Sequence, residues 1–213
     1  MARVEAHSSV AKAEVRGTLL RRHVALRFRH GSVHAMAYAD GWPRLWGFGL
    51  DAAAAGFREF IKKDDSNGDD LLKLGLSAAR GALVHACNTL VERRVPDAHF
   101  CALQIIDGKV RVSCSGNCRV YVHRGNRPQR ITTRDVAAGG LLNSETLHYE
   151  HSIEAGDLIL AGSESAFSTA AVSRVAAVIQ DDGNTSSAVL ASLLTEPARK
   201  AGIGAVAVAI RIR

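Results

Sequence analysis

The stretch 113–126, SCSGNCRVYVHRGN, decides how this chain is read. Apolar and polar side chains alternate on both sides of it, Val112 and Cys114 before and Val120 and Val122 after, which is the period of a strand with one buried face. Between them Gly116-Asn117-Cys118-Arg119 makes a corner, where glycine supplies the backbone freedom that a sharp change of direction needs. Two strands meeting at a corner are expected. Cys114 and Cys118 have a C-x3-C spacing, but a structural metal site needs four ligands and no second Cys/His pair follows at a suitable distance. The four cysteines, Cys87, Cys101, Cys114 and Cys118, read as small core thiols.

Toward the C terminus, residues 127 to about 143 are polar. The run 155–162, AGDLILAG, then reads as a buried strand entered through a Gly-Asp turn. A helical pattern follows over 165–180 and another over 184–201, and GAVAVAIRIR closes the chain as a strand. Toward the N terminus, Asp107-Gly108 is a hairpin turn of the two-residue type between HFCALQII and KVRVSCSG. Before Pro96, apolar residues at 72, 76, 79, 83, 86, 87, 90 and 91 follow helical spacing, with Asp69 or Asp70 at the start. An earlier helix is expected over 51–63, opened by Asp51, and three or four antiparallel strands over 15–50, broken at His30-Gly31 and at Gly41-Trp42-Pro43. Residues 1–14 read as a loose arm and 15–213 as a single domain. Meanders separated by helix pairs argue for an α+β fold with antiparallel sheets and helices on their outer faces.

The 213 residues are 47% hydrophobic, enough to bury one sizeable core. The net charge of +6 is local: residues 1–50 hold eight Lys and Arg against three Asp and Glu. That basic start, with Arg16, Arg21, Arg22, Arg27 and Arg29, could meet phosphates, but Leu26 and Phe28 alternate with Arg27 and Arg29 as on a strand with one solvated face. Aromatics at 5% are too sparse for a base-stacking platform, so nucleic acid is not the expected partner. No apolar run approaches the length of a membrane helix, and the first fifteen residues have no apolar core, so a reduced, cytoplasmic chain is expected.

The corner, the Gly-Asp-x-Leu strand and their order resemble the metal-dependent type 2C, or PPM, serine/threonine protein phosphatases. That family shows an early Gly-x-x-Arg-x-x-Asn-(Glu/Gln)-Asp segment, a strand ending in Asp-Gly before a helix, a hairpin reaching Gly-Asp-Ser-Arg, a Gly-Asp-x-Leu-x-Leu strand into Ser-Asp-Gly, and a late Asp-Asn before a last apolar strand. Gly116-Asn117-Cys118-Arg119 and Ala155–Leu160 stand on two of these milestones, and the sequence of milestones runs from about residue 19 to 213. The resemblance implies an α-β-β-α sandwich of two antiparallel sheets. It also implies two-metal hydrolysis, in which carboxylates hold a pair of Mg²⁺ or Mn²⁺ ions that activate a water against phosphorus.

The residues that would do this carry over poorly. A gapless alignment puts His34 at the phosphate-binding Arg and Ala39 at the first Asp, with Asp40 one position late, a slip that reverses the face of a strand unless a bulge corrects it. Asp51 fits the central metal-binding Asp, with Ala52 in place of glycine. Glu164 replaces the Asp of Ser-Asp-Gly, Asn117 replaces that of Gly-Asp-Ser-Arg, and Gly202-Ile203 stand where the last Asp-Asn belongs. The metal candidates are thus Asp51, Glu164 and Asp40, and the phosphate candidate is His34. Each has a structural alternative: helix capping for Asp51 and Glu164, an ordinary strand position for His34. Oxygen ligation by two residues cannot readily hold two adjacent dications. The sequence reads as a pseudophosphatase with no cofactor, binding a protein partner, phosphorylated or belonging to a kinase pathway. The alternative is an active phosphatase using Mn²⁺ or Mg²⁺ at an altered site.

Overall fold

A computed structural model describes residues 4–11, 25–41, 45–63, 68, 70–91, 95–125, 127–133 and 139–213. Ten strands and four helices follow one another as β1 (Val4–Ala11), β2 (Ala25–His30), β3 (Val33–Gly41), α1 (Trp46–Lys63), α2 (Leu71–Cys87), β4 (Pro96–Ile106), β5 (Lys109–Ser115), β6 (Cys118–Arg124), β7 (Arg127–Arg130), β8 (Thr146–Ser152), β9 (Leu158–Ser163), α3 (Thr169–Asp181), α4 (Ser187–Lys200) and β10 (Ala205–Ile212). One sheet has the order β1-β10-β9-β6-β7, the other β2-β3-β4-β5-β8. Every neighbouring pair is antiparallel.

Strand alternation sorts the core into three layers. Along β4, Cys101 and Leu103 face the other sheet and, together with Val110 of β5, meet Val120, Ile159 and Val208 there. Ala98, Phe100 and Ala102 face outward onto α1 and α2, against Leu50, Phe57, Leu76 and Leu83. The outer face of the first sheet is covered by α3 and α4, with Leu160, Phe167, Val175, Leu190 and Leu194 buried together. The architecture is the expected α-β-β-α sandwich. Asp107-Gly108 forms the expected hairpin turn, both residues having positive φ (48° and 70°), as a two-residue type I′ turn requires.

Three expectations are corrected. Residues 4–11 belong to no loose arm: β1 pairs along its whole length with β10, and Val4, Ala6 and Val10 pack into the inter-sheet core. The polar Ser8 at an inner position of VEAHSSVA hides that alternation. The expected strand over Leu45–Leu50 is instead the start of α1, because Leu50, Ala53, Ala54, Phe57 and Ile61 recur at helical spacing and are buried as one face. The polar stretch after Arg124 contains the short edge strand β7, and β8 follows it. Arg16, Arg21 and Arg22 of the basic start, and the Trp42-Pro43 turn, lie outside the described residues.

Candidate functional site

The corner read first is the hub of one end of the sandwich. Gly116 has φ of +81°, and a Cβ there would come within 2.0 Å of His99 Nδ1, so the chain can turn this close to the neighbouring strand only as glycine. The Asn117 backbone N–H donates to His99 Nδ1 at 2.9 Å, and Tyr38 Oη donates to the Asn117 carbonyl at 2.7 Å. Tyr38 and His99 stack with ring centroids 4.5 Å apart. Accepting at Nδ1 gives His99 the tautomer with its proton on Nε2. Two residues of the second sheet thereby fix the position of Asn117.

From that fixed corner the Asn117 side chain reaches Glu164. Its Nδ2 donates to Glu164 Oε2, and Arg119 Nη2 donates to Glu164 Oε1 at 2.6 Å. Arg119 Nη1 also donates to the Phe167 carbonyl at 3.3 Å, which aims the guanidinium. Glu164 opens a short 3-10 turn (Glu164–Phe167) at the end of β9 and keeps half its side chain in solvent. The amide and the guanidinium therefore hold the carboxylate from two sides. We call this arrangement the clasp.

The third strand end at this place is the start of β10. Ser165 Oγ donates to the Gly204 carbonyl at 2.7 Å, Ser163 Oγ lies 2.9 Å from Ser165 Oγ, and the Val206 N–H donates to Ser163 Oγ. Segments 116–119, 163–165 and 202–204 thus converge as the sequence implied. Of the positions where the resemblance expects acids in these segments, Glu164 alone carries one; Asn117 is an amide and Gly202 has no side chain, with the exposed Ile203 beside it.

The other candidates are not all brought here. Asp51 is exposed in the second turn of α1, outside the second sheet, at the flank of the face formed by its buried Leu50, Ala54 and Phe57. It neither caps that helix nor approaches Glu164, because α1 begins at Trp46. Asp40 and Gly41 are the last residues of β3, with Asp40 in register with Asp97 and two positions past Tyr38. His34 lies toward the other end of β3, six residues from Asp40, or roughly 20 Å at ~3.3 Å per residue. His34 cannot share a phosphate with a site at the clasp.

Sequence reasoning missed Asp97. It is 4% exposed, and its oxygens accept from the N–H groups of Ala98 (2.7 Å), Gly140 (2.9 Å) and Leu142 (3.0 Å) and from Asn143 Nδ2 (2.9 Å). A carboxylate offers about four acceptor positions, so these donors occupy it and leave nothing for a metal. Gly140 must be glycine, since a Cβ would sit 2.3 Å from the Ala98 carbonyl oxygen. Apart from Ala98, the donors lie 43 to 46 residues along the chain, too far for any local pattern to announce them. Also missed was a contact of Ser113 Oγ with His148 Nδ1, 2.7 Å apart on the outer face of the second sheet beside α2.

Cys118, the residue that made the corner unusual, is fully buried beside Cys101 and Cys114 in the inter-sheet core. A hydrogen bond with Cys118, and then burial, push the Cys101 thiol well up; burial, with Cys118 next, pushes up that of Cys114. These thiols stay protonated and act as core side chains. Asp157 of the Gly-Asp turn is also structural. Burial alone would raise its carboxyl, but Arg124, at 3.0 and 2.8 Å, and the Glu154 N–H hold it below the usual range.

The set of ligands for the implied pair of divalent ions is incomplete among the described side chains. Hard dications want several charged oxygens, whereas here the Glu164 carboxylate is paired with an amide and a guanidinium and Asp51 stands on α1, outside the second sheet. Among the described residues no three His, Cys, Asp or Glu side chains come together where they could hold a metal ion. No helix of the described residues is long and apolar enough to cross a membrane.

No protein-family model matches the sequence, and no curated protein matches it. Solved structures match over the whole chain. The Mycobacterium tuberculosis serine/threonine phosphatase PstP/Ppp superposes with a TM-score of 0.81 at 14% identity, covering 100% of both chains. PppA, a regulatory component of T6SS in Pseudomonas aeruginosa, gives 0.81 at 14% identity, covering 99% of this chain and 98% of its own. The catalytic domain of PstP in complex with two manganese ions gives 0.77 at 17% identity, covering 100% and 99%. The chain therefore has the fold of the PPM serine/threonine phosphatases.

Proposed function

We propose that this PPM-fold chain is a pseudophosphatase: a regulatory module that binds a protein partner of a phospho-signalling pathway at the clasp end of its sandwich, without metal-dependent turnover. The observation that carries this reading is the clasp. In the fold that PstP shares, two manganese ions are bound; here the carboxylate standing at Ser-Asp-Gly is already matched by Asn117 and Arg119. With Asn117 and Gly202 standing where the family pattern has acids, the like-charge repulsion that an unfilled cluster of carboxylates would suffer is removed. What is left at the surface is a guanidinium, an amide and an exposed Ile203, groups that suit a protein partner with an acidic or phosphorylated segment. The likeness to PppA, a regulatory component in its own system, is consistent with that role.

One observation favours the second reading, an active enzyme with an altered metal site. The strand that ends in Asp-Gly before a helix is β3, ending at Asp40-Gly41, so Asp40 rather than Asp51 takes the central acidic position of the family pattern. The test is turnover of p-nitrophenyl phosphate and of a phosphoserine peptide with and without Mn²⁺. The pseudophosphatase reading predicts no hydrolysis above a buffer control. Mn²⁺-dependent hydrolysis that disappears in Asp40→Ala would establish the second reading instead.

A further inference from the structure

The two sheets each leave an edge strand, β1 and β2, on the same side of the sandwich, and between them opens a cavity of about 270 Å³. Residues of both sheets line it, and strand alternation turns the side chains of Ser8 on β1, Arg29 on β2 and His34 on β3 toward it. Arg29 and His34 are directly opposed in the β2–β3 ladder, so their side chains emerge side by side.

His34 is 96% removed from solvent, yet no hydrogen bond joins its ring to any described residue. Among the described residues Arg29 likewise makes no ion pair, and no carboxylate lines the cavity. The acid closest in sequence on β1, Glu5, interacts electrostatically with His7, but its carboxylate is engaged by Arg213 and by the Ser187 N–H. The ring nitrogens are not sealed off in the core but open onto the cavity. Beside the Arg29 guanidinium, the ligand that such nitrogens suit is an acceptor-rich anion.

We propose that this cavity binds a small phosphate-bearing molecule, with Arg29 supplying the charge and a forked pair of donors and His34 a directional N–H. Guanidinium and imidazole are the pairing that suits the several oxygens of a phosphate. The volume lies just under the range of ~300–1,000 Å³ common for ligand sites, which selects a compact ligand over a polymer segment. Burial, and then the field of Arg29, bring the His34 pKa down to about 4, so the empty site holds the ring neutral and ready to donate one N–H to an anion. The site is roughly 20 Å along β3 from Asp40 and does not depend on whether the clasp end is catalytic.

The experiment is titration of the full chain with inorganic phosphate, phosphoserine and, as a carboxylate control, acetate, followed by calorimetry and by ¹H–¹⁵N shifts of residues 7, 8, 29, 34 and 35. Saturable binding of phosphate or phosphoserine with shifts confined to those residues is expected. Acetate should bind at least tenfold more weakly, and Arg29→Ala and His34→Gln should each weaken the phosphate ligands at least tenfold. Arg29 is exposed, so its variant keeps the test sound should His34→Gln disturb the core. The assignment fails if binding is not saturable, if acetate binds as well, if Arg29→Ala leaves the affinity unchanged, or if Arg119→Ala abolishes binding, which would move the anion to the clasp. None of these outcomes depends on whether p-nitrophenyl phosphate is hydrolysed.

Discussion

Asp97 and Glu164 stand at the same end of the sandwich, one in each sheet's territory, and differ in what holds them. Asp97 is buried and accepts three backbone N–H groups and one side-chain amide, so it ties segment 140–143 to β4. Glu164 is half exposed and held by two side chains, Asn117 and Arg119. A carboxylate answered by the backbone belongs to the architecture. One answered by side chains occupies a place that a different set of neighbours could turn to another use. The comparison shows that residue type does not decide whether an acid in this fold is tied into the architecture or held at the surface by side chains; the donors around it do.

The largest effect should follow at Asp97. Asp97→Asn sets an amide N–H₂ against three backbone N–H donors, at a cost of about 3 kcal/mol, and a chain of this size should lose about 6–12 °C in Tm by calorimetry. An unchanged Tm would erase the distinction drawn here. Asp157 lies between the two cases, buried but paired with the half-exposed Arg124. Asp157→Asn should cost about 2 kcal/mol at neutral pH, or about 4–8 °C. Because the folded state holds this carboxyl below its ordinary value of 3.8, its contribution is complete above that pH and is lost as the pH falls further below it. The Tm difference between wild type and Asp157→Asn should therefore close in acid; a gap that persists there would show that packing, not charge, sets it. Glu164→Gln should be the mildest, under about 1 kcal/mol, as for other solvent-exposed pairs, moving Tm by no more than about 3 °C. A loss as large as that at Asp97 would make the clasp a structural element.

The fold was legible wherever local chemistry and tertiary role agree. Asp107-Gly108 needs positive φ at both positions, the buried run 158–160 follows the glycine of a Gly-Asp turn, and the spacing of Leu72, Leu76, Ala79 and Leu83 is both the helical period and the buried face. It was hidden where they conflict. VEAHSSVA carries a serine on its inner face, and Trp46–Leu50 holds two glycines that read as strand or turn although α1 starts there. That misplaced start is what assigned Asp51 a role at the site; with the helix begun five residues earlier, the Asp-Gly strand end passes to Asp40-Gly41. Of the site itself, the convergence of Asn117, Glu164 and Ile203 could be expected from their order, whereas the Arg119–Glu164 contact spans 45 residues and required the β6–β9 register to be seen.

The central claim, that side chains have replaced metal at the clasp, is tested most directly by calorimetric titration of Mn²⁺ into the wild-type chain and into Glu164→Gln. The clasp predicts no saturable heat from either protein up to millimolar Mn²⁺. Micromolar Mn²⁺ binding to the wild type that is lost in Glu164→Gln would contradict it, and would show that Glu164 leaves Arg119 and Asn117 to hold an ion.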